Sequence, residues 1–316
     1  MIRTAAVAIM LCVGLHSLAQ ENTERVTMKT GKKQVSEFQL VFSDEFNGDR
    51  LDEKKWHTAV GVFRDPEHRA EKQWYTSDNI EVSNGTLKLI AKREELKNQK
   101  FSVWIKDGMK PFSSDFEFTS AEIDSHEQFG YGMYEIRCKL PRGKGMWPAF
   151  WMYGESNGVN HEIDVFEFWN QKSPLRKFSP RKMSRVHNMT AHYKGGMTQE
   201  NYKGPDYSED FHIFSVVWSE CKLDWYVDGE LKRRITRFKK SRGEKLTCEE
   251  ELEKYQGTKE NVFPRGQKLN IIANLALQSG DAKPLEADEF PAALEIDYIR
   301  YYKFSEDAEQ LSVPKK

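Results

Sequence analysis

Short runs in which apolar and polar side chains alternate, separated by tight glycine turns, restrict the fold of this chain more than anything else in it. Ile80-Glu81-Val82 and Thr86-Leu87-Lys88-Leu89-Ile90-Ala91 alternate on either side of Ser83-Asn84-Gly85, which predicts a hairpin closed by an Asn-Gly turn. Residues 131–140 alternate in the same way. Residues 211–219 and 223–227 flank a second turn, and Asp228-Gly229 leads into a further strand over 231–238. Residues 269–277 form a continuous apolar run that reads as a strand buried on both faces, and residues 294–304 a closing strand. Almost nothing repeats with the 3.6-residue period of a helix. The class expected is all-β, a two-sheet sandwich. No change of composition divides the chain, so a single domain is expected from 37 to 305. It would follow a polar, flexible lead-in over 20–36 and precede a tail over 306–316. Residues 92–118 read as a long, charged, partly aromatic connection, 194–210 as a loop and 239–262 as a charged surface insertion.

One run stands out from this pattern. Asn160-His161-Glu162-Ile163-Asp164-Val165-Phe166-Glu167-Phe168-Trp169 places three carboxylates within six residues of an otherwise apolar strand. Carboxylates in apolar surroundings are costly unless they are paired, hydrogen-bonded or used in chemistry. Strict alternation puts Glu162 and Asp164 on one face and Glu167 on the other. A β-bulge that absorbs one residue between Asp164 and Glu167 brings all three to one face, with Ile163 and Phe168 packed behind. The glutamate Cα atoms would then be about 13 Å apart at ~3.3 Å per residue. Their head groups must lean together over a concave sheet to reach the ~5–5.5 Å carboxyl separation of a retaining glycosidase.

Spacing alone leaves open a half-buried edge strand with ordinary solvated acids. Glu122-Ile123-Asp124-Ser125-His126-Glu127 has the same acid spacing, and Glu295-Ile296-Asp297 repeats the first triplet. Context separates the copies. Residues 146–153 form an aromatic strand with Trp147 and Trp151 on one face, and Asn157-Gly158 turns it into the carboxylate strand. The two should therefore be antiparallel neighbours.

The net charge is −1 and no long basic block is present, which argues against nucleic acid as the partner. Arg3, an apolar run over 5–15 and Ser17-Leu18-Ala19 read as a signal peptide over 1–19, so a secreted or periplasmic protein is expected. The apolar run is too short to span a bilayer, and a monomer is expected. Cys138, Cys221 and Cys248 would remain after cleavage, an odd number. Cys221 and Cys248 could pair, and the spacing fits no zinc site.

The residues resemble glycoside hydrolase family 16, which includes laminarinases, lichenases, agarases and carrageenases. The resemblance rests on an ordered set: Phe42-Ser43-Asp44-Glu45-Phe46-Asn47-Gly48, Tyr131-Gly132-Met133-Tyr134-Glu135-Ile136-Arg137, Gly145-Met146-Trp147-Pro148-Ala149-Phe150-Trp151 and Glu162-Ile163-Asp164-Val165-Phe166-Glu167. Trp225-Tyr226-Val227-Asp228-Gly229, residues 270–276 and residues 297–302 continue it. It implies a β-jelly roll, a concanavalin A-like sandwich with a concave substrate cleft. It also implies a retaining endo-acting hydrolase of β-linked polysaccharide, with Glu162 as nucleophile, Glu167 as acid/base and Asp164 as the assisting carboxylate. The residue between Asp164 and Glu167 matches the bulged branch and points to β-1,3-glucan of the laminarin type. The alternatives are a β-galactanase, agarase, porphyranase or endo-β-galactosidase activity on galactose-containing glycans, and a non-catalytic carbohydrate-binding jelly roll. Asn160-His161 before the nucleophile, Asn170 after the acid/base and Leu277-Gln278-Ser279-Gly280 differ from the family's laminarinases.

Trp147, Trp151 and Trp169 are the expected sugar-stacking residues, with core packing as their plainer role. His192 resembles a cleft histidine of the family, and Glu122 lies where lichenase-like members carry a substrate-binding acid. No catalytic cofactor is expected. The resemblance implies one structural calcium on the convex face, with Glu45, Gly85 and Asp297 at the matching positions.

Overall fold

The computed structural model describes residues 25–29, 35–62, 71–105, 108–143, 145–156, 158–168, 184–193, 196–236, 263, 266–278 and 290–305. Among these it places eighteen strands in two stacked sheets, the jelly-roll sandwich expected from the alternation. The sheet that carries the acidic strand has seven strands. In spatial order they are β13 (Gly196–Lys203), β12 (Val186–Tyr193), β11 (Val159–Glu167), β10 (Met146–Ser156), β17 (Leu269–Leu277), β8 (Glu122–Phe129) and β3 (Trp56–Thr58). The opposite sheet has eleven. Its main path runs β16 (Glu230–Thr236), β15 (Lys222–Val227), β14 (His212–Trp218), β9 (Gly132–Lys139), β18 (Ala292–Phe304), β6 (Thr86–Ile105), β7 (Gly108–Ser120) and β4 (Gln73–Tyr75). Beside that path, β2 (Val35–Asp44) pairs with β18, β1 (Arg25–Lys29) with β2, and β5 (Ile80–Ser83) with β6.

The inward faces of the two sheets form one apolar core. Ile163, Phe166, Phe150, Met152, Ile271, Ala273 and Leu275 from the seven-stranded sheet meet Ile136, Phe214, Val216, Trp225, Leu87, Leu89 and Ile296 from the other. Burial of this apolar surface is the main stabilising term. Glycine is required where β9 meets β18: a Cβ on Gly132 would lie 2.2 Å from the carbonyl oxygen of Tyr302.

Three expectations about connections are corrected. Residues 20–36 are not wholly an unstructured lead-in, because Arg25–Lys29 pairs antiparallel with Val35–Gln39 of β2. The charged connection over 92–118 is a long hairpin. β6 and β7 continue past the sandwich as an arm on which Arg93, Glu94, Glu95, Lys97 and Lys100 are exposed while Phe101, Phe112 and Phe116 pack together. Residues 196–203, expected within a loop, are strand β13 at the sheet edge, where both faces are largely wet and the apolar half of the pattern is missing. Residues 1–19, 239–262 and 306–316 lie outside the described residues. Cys221 is disulfide-bonded and Cys138 is a buried free thiol, while Cys248 lies outside the described residues. Among the described residues no helix is long and apolar enough to cross a membrane.

Candidate active site

The acidic strand carries the expected bulge. Against β12, Asp164 faces Thr190 but Glu167 faces Asn188, so two residues of β11 oppose Met189 alone. Against β10, Asp164 faces Trp151 while Phe166 faces Phe150, which makes Val165 the extra residue. The side chains explain why the strand bends here. Val165 and Phe166 are both buried, and Phe166 packs on Phe214, Phe168 and Phe150 with ring centroids 4.7, 5.5 and 6.3 Å away. Without the bulge Phe166 would face water and Glu167 the core. Exposing a phenylalanine forfeits about 1.5–3 kcal/mol, and burying an unpaired carboxylate costs several kcal/mol more. The extra residue removes both penalties.

As a result Glu162, Asp164 and Glu167 line one pocket on the concave face, with Trp147, Ala149, Trp151, Glu122, Asn274, Ala276 and Glu71. Asp164 is almost wholly buried between the glutamates. Burial, then the charges of Glu167 and Glu162, push its carboxyl well above the ordinary carboxylate range, and a hydrogen bond shared with Glu167 acts in the same direction. Like charges this close disfavour full ionisation of the group, and Asp164, the most buried member, is the carboxyl held protonated. His192 Nε2 lies 3.3 Å from Asp164 Oδ2 and 3.6 Å from Glu162 Oε1, because β12 pairs His192 opposite Glu162. The ligating atoms of these three side chains lie within 4.8 Å of one another.

Trp147 is only 3% exposed, and its indole N–H donates to Glu167 Oε1 at 3.2 Å. Its place is under the acid rather than as an open stacking platform. Trp151 is half-buried, and its N–H donates to Asn274 Oδ1 at 2.9 Å. Asn274 in turn donates to the Tyr75 hydroxyl at 2.9 Å, and Gln73 donates to Glu71 Oε2 at 2.9 Å. The bond to Asn274 thereby fixes Trp151 along the pocket wall. Glu122 is buried beside Asn274, its register partner, within the same pocket. Trp169 lies outside the described residues.

Sequence reasoning missed Asn274 and Glu71. An amide in the middle of the apolar run 269–277 was the available signal for the first. Only the fold brings Glu71 near, through its bridge to Gln278.

Two of the positions expected around a structural calcium, Glu45 and Asp297, have arginine partners. Glu45 accepts two bonds from Arg300, Nε–Oε1 at 2.9 Å and Nη2–Oε2 at 2.8 Å, and Arg137 Nη1 lies 2.5 Å from Asp297 Oδ2. A calcium at these positions would therefore rely on backbone oxygens, as expected at Gly85 and Asp297, as much as on the side chains. No step of the chemistry is assigned to a metal.

A second depression of about 380 Å³ on the concave sheet is lined by His57, Asp124, Ser125, His126, Tyr153, Asn270 and Ile272. Tyr153 is the register partner of Glu162, so this depression borders the acidic pocket. Burial raises the Asp124 carboxyl to about 6, against a smaller opposing effect of His57. A raised carboxyl contributes stability that is fully present below its unfolded value and lost as pH rises through its folded value. Thermal melts from pH 4 to 7 are therefore expected to show Asp124→Asn losing less stability than the parent, with the difference growing from about pH 4, the ordinary aspartate range, and levelling off above about pH 6. Parallel melting curves would remove Asp124 from this account.

Comparison with known proteins gives a consistent picture. The profile described as "Glycosyl hydrolases family 16" matches residues 68–275. The chain is 28% identical over 299 residues to "Glucan endo-1,3-beta-glucosidase A1" of Niallia circulans, a match that covers 85% of this chain but only 38% of that relative. It is 27% identical over 326 residues to "Beta-glucanase" of Rhodothermus marinus, covering 97% and 96% of the two chains. The solved endo-β-1,3-glucanase from Pyrococcus furiosus superposes with a TM-score of 0.67 at 28% identity, over 89% of this chain and 98% of that one.

Proposed function

Because the chain belongs to the glycosyl hydrolases of family 16, we propose that it hydrolyses internal β-linkages of a polysaccharide with retention of configuration, and that β-1,3-glucan is its substrate. The observation that carries this reading is the bulge that turns Glu167 into the same pocket as Glu162 and Asp164. Glu162 attacks the anomeric carbon as the glycosidic bond breaks, and Glu167 gives its proton to the leaving oxygen. Glu167 then takes a proton from water, whose oxygen attacks the anomeric carbon and releases Glu162. Asp164 stays within the shared hydrogen-bond system and stabilises whichever glutamate is ionised. Trp147 fixes the orientation of Glu167 through its N–H. Trp151, Glu122, His192 and Asn274 supply the sugar contacts along the pocket. Export by the segment 1–19 and action as a monomer belong to the same proposal.

A second reading, cleavage of a galactose-containing glycan, draws on the end of β17 beside the pocket. Gln278 is fully buried after β17 and donates to the Phe168 carbonyl at 3.5 Å, at a position where the family's laminarinases differ. Incubation with laminarin, mixed-linkage glucan, agarose, porphyran, carrageenan and mucin-type glycans separates the two. The expected result is oligosaccharides from laminarin, with the β-anomer appearing first by NMR. Products from galactans alone would favour the second reading. The α-anomer first would overturn retention, and binding without cleavage of any of them would leave a carbohydrate-binding jelly roll.

A further inference from the structure

We propose that Trp225 and Arg233, both on the sheet opposite the cleft, form a strut that holds the β11 bulge in its catalytic shape. The proposal rests on the reading of Glu162 and Glu167 as the reacting pair. In an unbroken ladder each strand carbonyl is taken by a neighbouring strand. A bulge leaves groups on both strands without ladder partners, and buried ones need partners from elsewhere. Here they come through the core. The Trp225 indole N–H donates to the carbonyl oxygen of Asp164 at 2.8 Å, at the residue where the bulge begins. Arg233 serves the other strand. Its Nη1 donates to the carbonyl of Met189, the single β12 residue facing Val165 and Phe166, and its Nη2 donates to Thr198 Oγ1 of β13 at 2.8 Å.

Arg233 reaches that far because the opposite sheet is itself irregular. Trp225 faces Arg233 but Tyr226 faces Leu231, so Lys232 is an extra residue in β16. That irregularity accompanies the inward course of Arg233, which is only 5% exposed and sits with its guanidinium 4.8 Å from the centre of the Trp225 ring. Glu200 Oε2, 3.5 Å from Nε, supplies a counter-charge. Two irregularities in facing sheets thus meet through one stacked pair. An indole N–H and a guanidinium satisfy the bulge from behind, while its front presents the acids. Trp225 and Arg233 touch no substrate; they act through the aim of Glu167 and are positioning residues.

The test compares Trp225→Phe, which keeps an aromatic ring and removes the N–H, with Arg233→Met and Arg233→Lys. A small misplacement of a reacting group costs about 10²-fold in rate. The expected result is a loss of kcat on that scale for Trp225→Phe and Arg233→Met, with KM within about threefold and a displaced pH–rate profile. Arg233→Lys should fall between, since an ammonium cannot span both acceptors. A purely structural role would lower Tm while leaving kcat and the pH profile unchanged, and that outcome overturns the strut. Where Trp225→Phe does not fold, a benzothienylalanine at 225 keeps the ring shape without the N–H and is measured instead. A crystal structure of the variant separates this proposal from the functional one. If the parent cleaves none of the polysaccharides, a bulge that persists without the N–H still overturns the strut, and a bulge that is lost still supports it.

Discussion

Glu162→Gln is expected to lower turnover by roughly 10⁴-fold or more, the scale on which loss of a catalytic nucleophile acts, while the protein melts within about 4 °C of the parent. Glu162 is half-exposed on the concave face, so an amide of the same shape leaves the core beneath β11 untouched. Glu167→Gln should cost a similar factor on polysaccharide but behave differently with an activated aryl glycoside. Such a leaving group needs no proton, so the first step survives and the glycosyl-enzyme accumulates for want of a base. Added azide, which needs no deprotonation, should then restore turnover in Glu167→Gln and yield a glycosyl azide of retained configuration. The Glu162 variant should give no such product, because it never forms the intermediate. Azide rescue of the wrong variant would exchange the two roles, and near-parental activity in either would remove that glutamate from the mechanism.

The bulge could be read from the chain because its cause is local. Val165 and Phe166 are adjacent apolar residues followed by an acid, and only a two-against-one pairing buries both while keeping Glu167 wet. The antiparallel pairing of β10 and β11 was legible for a similar reason, since Asn157-Gly158 leaves a short connection few other routes. The arm formed by β6 and β7 was not. Its first residues, Lys92 to Lys100, are mostly charged or polar and exposed, and the aromatic face of Phe101, Phe112 and Phe116 begins only beyond them, so the pairing has no continuous apolar pattern along both strands. Trp147 was visible as a cleft-side residue, but its burial and its bond to Glu167 depend on how closely β10 lies under the acid. The contact from Trp225 to Asp164 joins residues 61 apart on different sheets, and no local pattern encodes it. What stayed hidden is the set of long-range polar contacts that hold the acids in place.

Asp164→Asn is expected to separate stability from activity. Burial and the flanking glutamates hold Asp164 in its protonated form well above the usual carboxylate range. By linkage, the stability this group contributes is complete below the unfolded value of an aspartate and is lost as pH rises through the raised folded value. Asparagine is neutral throughout and keeps a donor of similar shape. Thermal melts should therefore show the variant close to the parent in acid and progressively more stable than it as pH rises. Turnover should move the opposite way, falling by about 10²-fold at the parent's optimum, the low end of what a positioned proton-transfer group contributes. During the double displacement the ionised glutamate changes from Glu162 to Glu167 and back. The single proton on Asp164 can turn to follow it, whereas an amide presents fixed and weaker donors to both. The loss should fall on kcat, with KM little changed, because Asp164 is sealed beneath the glutamates and offers the resting substrate almost no surface. A variant destabilised near neutral pH, with the loss fading in acid, would mean that Asp164 is held as a charged partner of His192, and a variant with full turnover would leave the two glutamates to manage their protons without it.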